Sequence, residues 1–189
     1  MPEFLGAESS FGKFYFTWRQ YFTLKENDLS FAYRLGYQQT LFGDVPFYYQ
    51  GQVIVSELRG ALSEGLGGSK TIRGLLRNRV IGDGFAYGNA ELRWKMLRFK
   101  FINQNWYLGT NYFFDACQVT SQINVDVTDL ENYLEGSAAD YYIGGKDKLH
   151  MAAGLGLKLV MNENFIISAD IGKALKEQDG DMEFYIGLN

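Results

Sequence analysis

The feature that most constrains this chain is a strict period-two alternation of residue type, because successive side chains of an extended strand point to opposite faces of a sheet. In the clearest segment Phe85, Tyr87, Asn89, Glu91, Arg93 and Lys95 share one face while Ala86, Ala90, Leu92, Trp94 and Met96 share the other, so every charge falls on one side. Near the C-terminus Leu149, Met151, Ala153, Leu155, Leu157 and Leu159 oppose Lys148, His150, Ala152, Gly154, Gly156 and Lys158. Phe165, Ile167, Ala169 and Ile171 then oppose Ile166, Ser168, Asp170 and Gly172, and Met182, Phe184, Ile186 and Leu188 oppose Glu183, Tyr185 and Gly187. Earlier, Phe14, Phe16, Trp18 and Phe22 oppose Lys13, Tyr15, Thr17, Arg19 and Tyr21, and Leu29, Phe31, Tyr33 and Leu35 oppose Ser30, Ala32, Arg34 and Gly36. With one more segment from Asn105 to Asp115, the pattern predicts about seven strands of roughly 9–13 residues. That exceeds the usual globular strand of about 5–6 residues and suits tilted membrane strands of about 9–11.

Aromatic residues make up 16% of the chain, glycine occurs 22 times and proline only 2 times, which favours extended segments over helices or disorder and places the chain in the all-β class. Residues 1–189 read as a single domain. No run approaches the roughly 18 apolar residues of a transmembrane helix, so a membrane role has to be carried by strands. The start, Met1-Pro2-Glu3-Phe4-Leu5-Gly6, has neither the basic residues nor the apolar core of a secretory signal, so export would need a start upstream. A formal charge of −4 with scattered basic residues argues against a nucleic-acid partner. A single cysteine, Cys117, and a single histidine, His150, rule out a disulfide framework and the usual metal spacings, and no cofactor is expected.

Connections alternate in length. Lys25-Glu26-Asn27-Asp28, the turn near Asn103-Gln104 and Asn162-Glu163-Asn164 are short, whereas 41–84 and 117–147 are long and 173–180 is intermediate. Short turns on one rim and long loops on the other match an antiparallel transmembrane β-barrel, or the C-terminal portion of one, with 117–147 as an extracellular loop. Within it, Thr128-Asp129-Leu130-Glu131 is a capping-box pattern leading to Gly136, which predicts one or two helical turns. A soluble ligand-binding barrel would show the same alternation with its apolar face inward, so periodicity leaves that reading open. The charges on the second face, Arg19, Arg34, Glu91, Arg93, Lys158 and Asp170, would be solvated in the soluble case and would line a polar lumen in the membrane case.

One loop carries a motif. In Leu66-Gly67-Gly68-Ser69-Lys70-Thr71-Ile72-Arg73-Gly74 a glycine pair precedes Ile72, Arg73 and Gly74, with Leu75 where an aromatic residue would complete the tetrad. Gly82-Asp83, then Tyr87-Gly88-Asn89-Ala90-Glu91-Leu92-Arg93, and finally Phe113-Phe114-Asp115-Ala116-Cys117 follow in order. Together these segments resemble the bacterial surface-antigen and outer-membrane barrel-assembly (BamA-like) superfamily, over essentially the whole chain and as the last seven or so strands of its barrel. The resemblance implies that the 41–84 loop is directed into the lumen, where Arg73 meets Asp115 on the wall, with Glu91 and Arg93 as further wall residues. A guanidinium fork on a carboxylate would fix such a loop in orientation. Taken without the resemblance, Arg73 is a solvated loop arginine and Asp115 a strand-end carboxylate.

The same loop fails as a phosphate-binding loop, because Glu64 and Ser69 stand where that motif needs glycine. Glu91, Asp115 and Asp170 lie on different strands with no spacing that brings a specific pair together, His150 has no neighbouring pattern that assigns it a role, and the acidic residues of 117–147 lack calcium-loop spacing. No catalytic site is expected. About seven antiparallel strands cannot close a ring, since joining the first to the last would need a parallel pair. Unless 47–56 supplies an eighth strand, the remaining strands must come from elsewhere in a longer polypeptide or from another chain. The resemblance implies a bacterial outer-membrane protein in contact with lipid, acting in the assembly or translocation of outer-membrane or secreted polypeptides. A small pore or surface antigen is the alternative within the membrane class.

Overall fold

The computed structural model describes residues 9–56, 61–123 and 147–188; the expected helical turns at Thr128 to Gly136 and the termini Met1 to Gly6 and Asn189 lie outside the described residues. Seven strands form one antiparallel sheet: β1 (Phe11–Lys25), β2 (Leu29–Gly43), β5 (Gly84–Phe101), β6 (Gln104–Ser121), β7 (His150–Met161), β8 (Phe165–Ala174) and β9 (Met182–Leu188), in the order β1-β2-β5-β6-β7-β8-β9. The short strands β3 (Val53–Ser56) and β4 (Ala61–Ser63) pair with each other apart from this sheet. β1 and β9 are its two edges and are not paired with one another, so the sheet is open.

Tight turns set the register. Ile102 and Asn103 both have positive φ (50° and 56°), as do Asn162 and Glu163 (50° and 64°), the geometry that matches the right-handed twist of two-residue hairpins. The turn expected at Asn103-Gln104 is thus Ile102-Asn103, and Ile102 takes a backbone conformation rarely found for a β-branched side chain.

Strand lengths depart from the expected range. β1 and β2 have 15 residues each and β5 and β6 have 18 each, while β9 has 7. In Gln118-Val119-Thr120-Ser121 pairing continues although only Val119, which packs on the buried apolar cluster, is apolar, so no alternation is there to betray it. β6 therefore runs past 117, where the second long connection was expected to start. The candidate eighth strand at 47–56 does not join the sheet. The Pro46 carbonyl accepts bonds from the amides of Tyr49 (2.8 Å) and Gln50 (3.1 Å), closing the helical turn α1 (Phe47–Gln50) before β3 begins.

Register places side chains in transverse rows on the polar face. Arg19, Arg34, Asn89, Asp115, Ala152 and Ala174 form one row across six strands; Tyr21, Ala32, Glu91, Phe113, Gly154, Gly172 and Glu183 form the next across all seven. The opposite face is exposed and apolar in every strand: Trp18 is 50% exposed, and Leu35, Trp94, Phe114, Leu157, Ile167 and Ile186 project with it. An apolar face of this extent is unfavourable in water and favourable against lipid.

Leu157→Arg, on the apolar face of β7, is expected to lower stability by about 2–4 kcal/mol in bilayers, measured by reversible unfolding into lipid vesicles. A water-facing position would change it by no more than about 0.5 kcal/mol.

Candidate functional site

The site is a loop lying on the polar face. Its neck is closed by the amide of Leu66 bonding to the carbonyl of Val80 (2.8 Å) and the reverse pair (3.0 Å). Inside the neck the Thr71 hydroxyl accepts from the Gly67 amide (2.8 Å) and donates to the Gly67 carbonyl (3.1 Å), and the Gly68 amide donates to the Leu75 carbonyl (3.2 Å). These bonds fold residues 66–80 into a compact unit that presents Leu66, Ile72, Leu75 and Val80 toward the wall. They are buried against Phe85, Tyr87, Cys117, Ala152 and Ala174, so the principal cluster of buried apolar side chains lies between loop and sheet. Loop backbone and wall meet closely at Gly74, whose φ is +90°. A Cβ there would sit 2.8 Å from the Lys173 amide nitrogen and 2.9 Å from the Ala152 methyl, so the position has room only for glycine.

Arg73 carries the electrostatics. Its Nε donates to Asp115 Oδ2 (2.9 Å) and its Nη2 to Asp115 Oδ1 (3.0 Å), a two-pronged grip to which its own amide adds a bond to Oδ2 (3.0 Å). Nη1 donates to Glu91 Oε1, and the guanidinium lies 3.8 Å over the ring of Phe113. Asp115 is 0% and Arg73 8% exposed, so neither charge is relieved by bulk water. Burial alone would lower the arginine's pKa, but the hydrogen bonds and charge of Asp115, followed by the charge of Glu91, hold it above its ordinary value. Arg93 completes the cluster: its Nη2 lies 2.7 Å from Glu91 Oε2.

Other wall residues hold the loop by its backbone. Asn89 Nδ2 donates to the Thr71 carbonyl (2.7 Å), Arg34 Nη2 to the carbonyls of Lys70 (3.1 Å) and Thr71 (3.3 Å), and the Gly74 amide to the Tyr185 hydroxyl (2.9 Å). The β8–β9 connection braces the far side, where the Leu76 amide donates to the Asp179 carbonyl (3.0 Å) and Arg79 Nε to the Gln178 carbonyl (2.7 Å). His150, to which the sequence assigned no role, fixes this brace: Nδ1 is 2.8 Å from Asp179 Oδ1 and Nε2 is 3.0 Å from Asp147 Oδ1.

The structure therefore places Gly67, Gly68, Ile72, Arg73 and Gly74 in the loop and brings Arg73 together with Asp115 and Glu91, with Arg93 on the far side of Glu91. Sequence spacing alone brings no two of these carboxylates together; the register sets β5 beside β6, and Arg73 lies between Glu91 and Asp115. Asp170 stands apart, facing Asn111 across Gly156, where both side chains fill the space a Cβ would need. Phe113, Asn89, Tyr185 and Asp179 were missed. Face parity marked Asn89 and Tyr185 as polar-face positions and Phe113 stood only in the segment quoted around Asp115; the register alone shows which loop atom each one meets. Among the described residues no group of three or more acidic, histidine or cysteine side chains could hold a metal ion.

Arg73→Ala is expected to cost about 3–5 kcal/mol, because it leaves a fully buried carboxylate unpaired, and to open residues 66–80 to limited proteolysis. Arg73→Lys keeps the charge but not the fork, so its unfolding midpoint should fall between the two; three equal midpoints would contradict the geometry.

Compared with known protein families, residues 2–189 match the Omp85 superfamily domain. No curated protein matches the chain.

Proposed function

This chain belongs to the Omp85 superfamily, and on that premise we propose that it is a non-enzymatic outer-membrane barrel wall that takes part in inserting or translocating polypeptides, with the 66–80 loop as its lumen plug. Membership implies a bacterial outer-membrane setting and polypeptide substrates in general. The reading for this chain rests chiefly on one observation: a polar face plugged by a loop lies between two strand edges, β1 and β9, that are not joined to each other. Edge amides and carbonyls in hydrocarbon must find partners. Further strands of the same polypeptide or of another chain would complete the ring, and an extended polypeptide can pair with the same groups. Against a self-contained small pore stands the odd number of strands, seven, that the described residues place in an all-antiparallel sheet.

The test is photocrosslinking of the full chain, in membranes, to a defined unfolded outer-membrane polypeptide. A crosslinker replacing Thr17, on the polar face of the edge strand, is expected to give polypeptide adducts, and one replacing Trp18, on the apolar face, adducts with lipid only. No polypeptide adduct at either position, together with ion conductance that rises in Arg73→Ala, would favour the pore or surface antigen instead.

A further inference from the structure

We infer that the short-turn rim of the sheet binds the phosphate headgroups of anionic phospholipids, through Lys95, Arg98 and Lys100 on the β5–β6 hairpin. The site needs the membrane setting but no polypeptide, so it stands beside the proposed role. Charge is unevenly spread along the strands. From the level of Lys95 to the turns, residues 24–29, 95–109 and 158–168 carry Lys25, Lys95, Arg98, Lys100 and Lys158 against Glu26, Asp28 and Glu163, an excess of cations in a chain whose formal charge is −4.

A bulge gathers the cations on one face. Register slips by one residue between Lys95 and Leu97, so beyond it the even-numbered positions of β5 take over the polar face. Lys95 Nζ lies 4.7 Å from the centroid of the Tyr107 ring, and Arg98 stands opposite Tyr107 in the ladder, with Lys100 opposite Asn105. The same slip turns Leu97, Phe99 and Phe101 to the apolar face, where Phe99 stacks on Trp106 with centroids 6.4 Å apart and ring planes at 9°. Rings on the outer face and cations on the inner face, at one level of the same two strands, match a headgroup layer, in which aromatic groups sit at the boundary and basic groups reach phosphate.

The sheet also leaves a way around its edge. β2 begins at Leu29, opposite Trp94, whereas β5 runs on to Phe101. On that side the amide of Lys95 bonds to the Asp28 carbonyl (2.8 Å), and beyond it no strand of the described residues covers β5. A lipid lying along Leu97 and Phe99 can therefore bring its headgroup to the three cations, which line a groove of about 670 Å³ with Asn105 and Tyr107. Little in the protein cancels their charge. Arg98 shares Asp28 with Lys25 (2.8 and 2.7 Å), and Lys95 reaches Glu163 only at 3.8 Å, where that carboxylate is 81% exposed. Lys100 pairs with no carboxylate among the described residues. Exposed pairs of this kind are weak, so a lipid phosphate, bringing a full negative charge and its own acceptor oxygens, competes for these side chains.

The test uses the full chain with Trp18→Phe and Trp94→Phe, so that Trp106 alone fluoresces, in phosphatidylcholine vesicles. These contain equal fractions of either bromine-chain phosphatidylglycerol or bromine-chain phosphatidylcholine as quencher. Quenching is expected to show phosphatidylglycerol enriched at least about threefold at Trp106, with the enrichment lost at high salt. Lys95→Gln and Lys100→Gln should each reduce it, and both together remove it. Equal quenching by the two lipids would overturn the site. So would enrichment that survives the double substitution, or that is matched at the opposite rim by Phe42→Trp in a chain that also has Trp106→Phe. If millimolar inorganic phosphate abolishes the enrichment at constant ionic strength, the groove serves a soluble phosphate and the lipid assignment falls.

Discussion

A buried ion pair holds this structure in its arrangement: the Arg73 guanidinium gripped by Asp115, with Glu91 on its other edge and Phe113 beneath it. In a sheet whose apolar face is turned outward, the polar face cannot supply an ordinary hydrophobic core. The loop changes that. By laying Leu66, Ile72, Leu75 and Val80 over Phe85, Tyr87, Ala152 and Ala174 it creates a core where the wall would otherwise be polar, and the ion pair decides where on the wall this packing happens. A buried charge pair is weak evidence of net stability but costly to break from one side, so its contribution here is placement.

The wall is shaped to receive the loop. In the row that contains Asp115, side chains shrink from Arg34 and Asn89 to Ala152 and Ala174 as it passes from β2 to β8. Gly172, one row away, lets the backbone of Gly74 approach so closely that a Cβ at position 172 would lie 2.8 Å from the Gly74 amide nitrogen. The charged end of the row supplies hydrogen bonds to loop carbonyls, and the small end supplies room. His150, between Asp147 and Asp179, steadies the β8–β9 connection that closes over the loop from outside.

Much of this was legible in the sequence because period two is a physical constraint wherever one face meets lipid. The alternation of Phe85 to Met96 and of Leu149 to Lys158 located strands and faces, and the order of the glycine-pair loop, the Glu91 strand and Asp115 located the candidate site. What was not legible depends on register and on chain that leaves the apolar medium. Nothing in Gln118 to Ser121 marks a strand, since Val119 is its one apolar residue and four residues are too few to show a period. That Arg73 would draw Glu91 and Asp115 together, and that Tyr185 would reach the Gly74 amide from a distant strand, follows only once seven strands are aligned. His150 looked isolated because its partners lie 3 residues before and 29 residues after it, outside any local motif.

Amide hydrogen exchange of the 66–80 loop, compared between the unaltered chain and Asp115→Ala, tests most directly whether the ion pair holds the loop on the wall. If it does, the amides of Leu66, Gly68, Arg73 and Val80 exchange slowly in the unaltered chain and at the rate of an open loop in Asp115→Ala, while the paired amides of β5 and β6 keep their protection. Loop amides equally protected in both chains, or unprotected in the unaltered one, would contradict it.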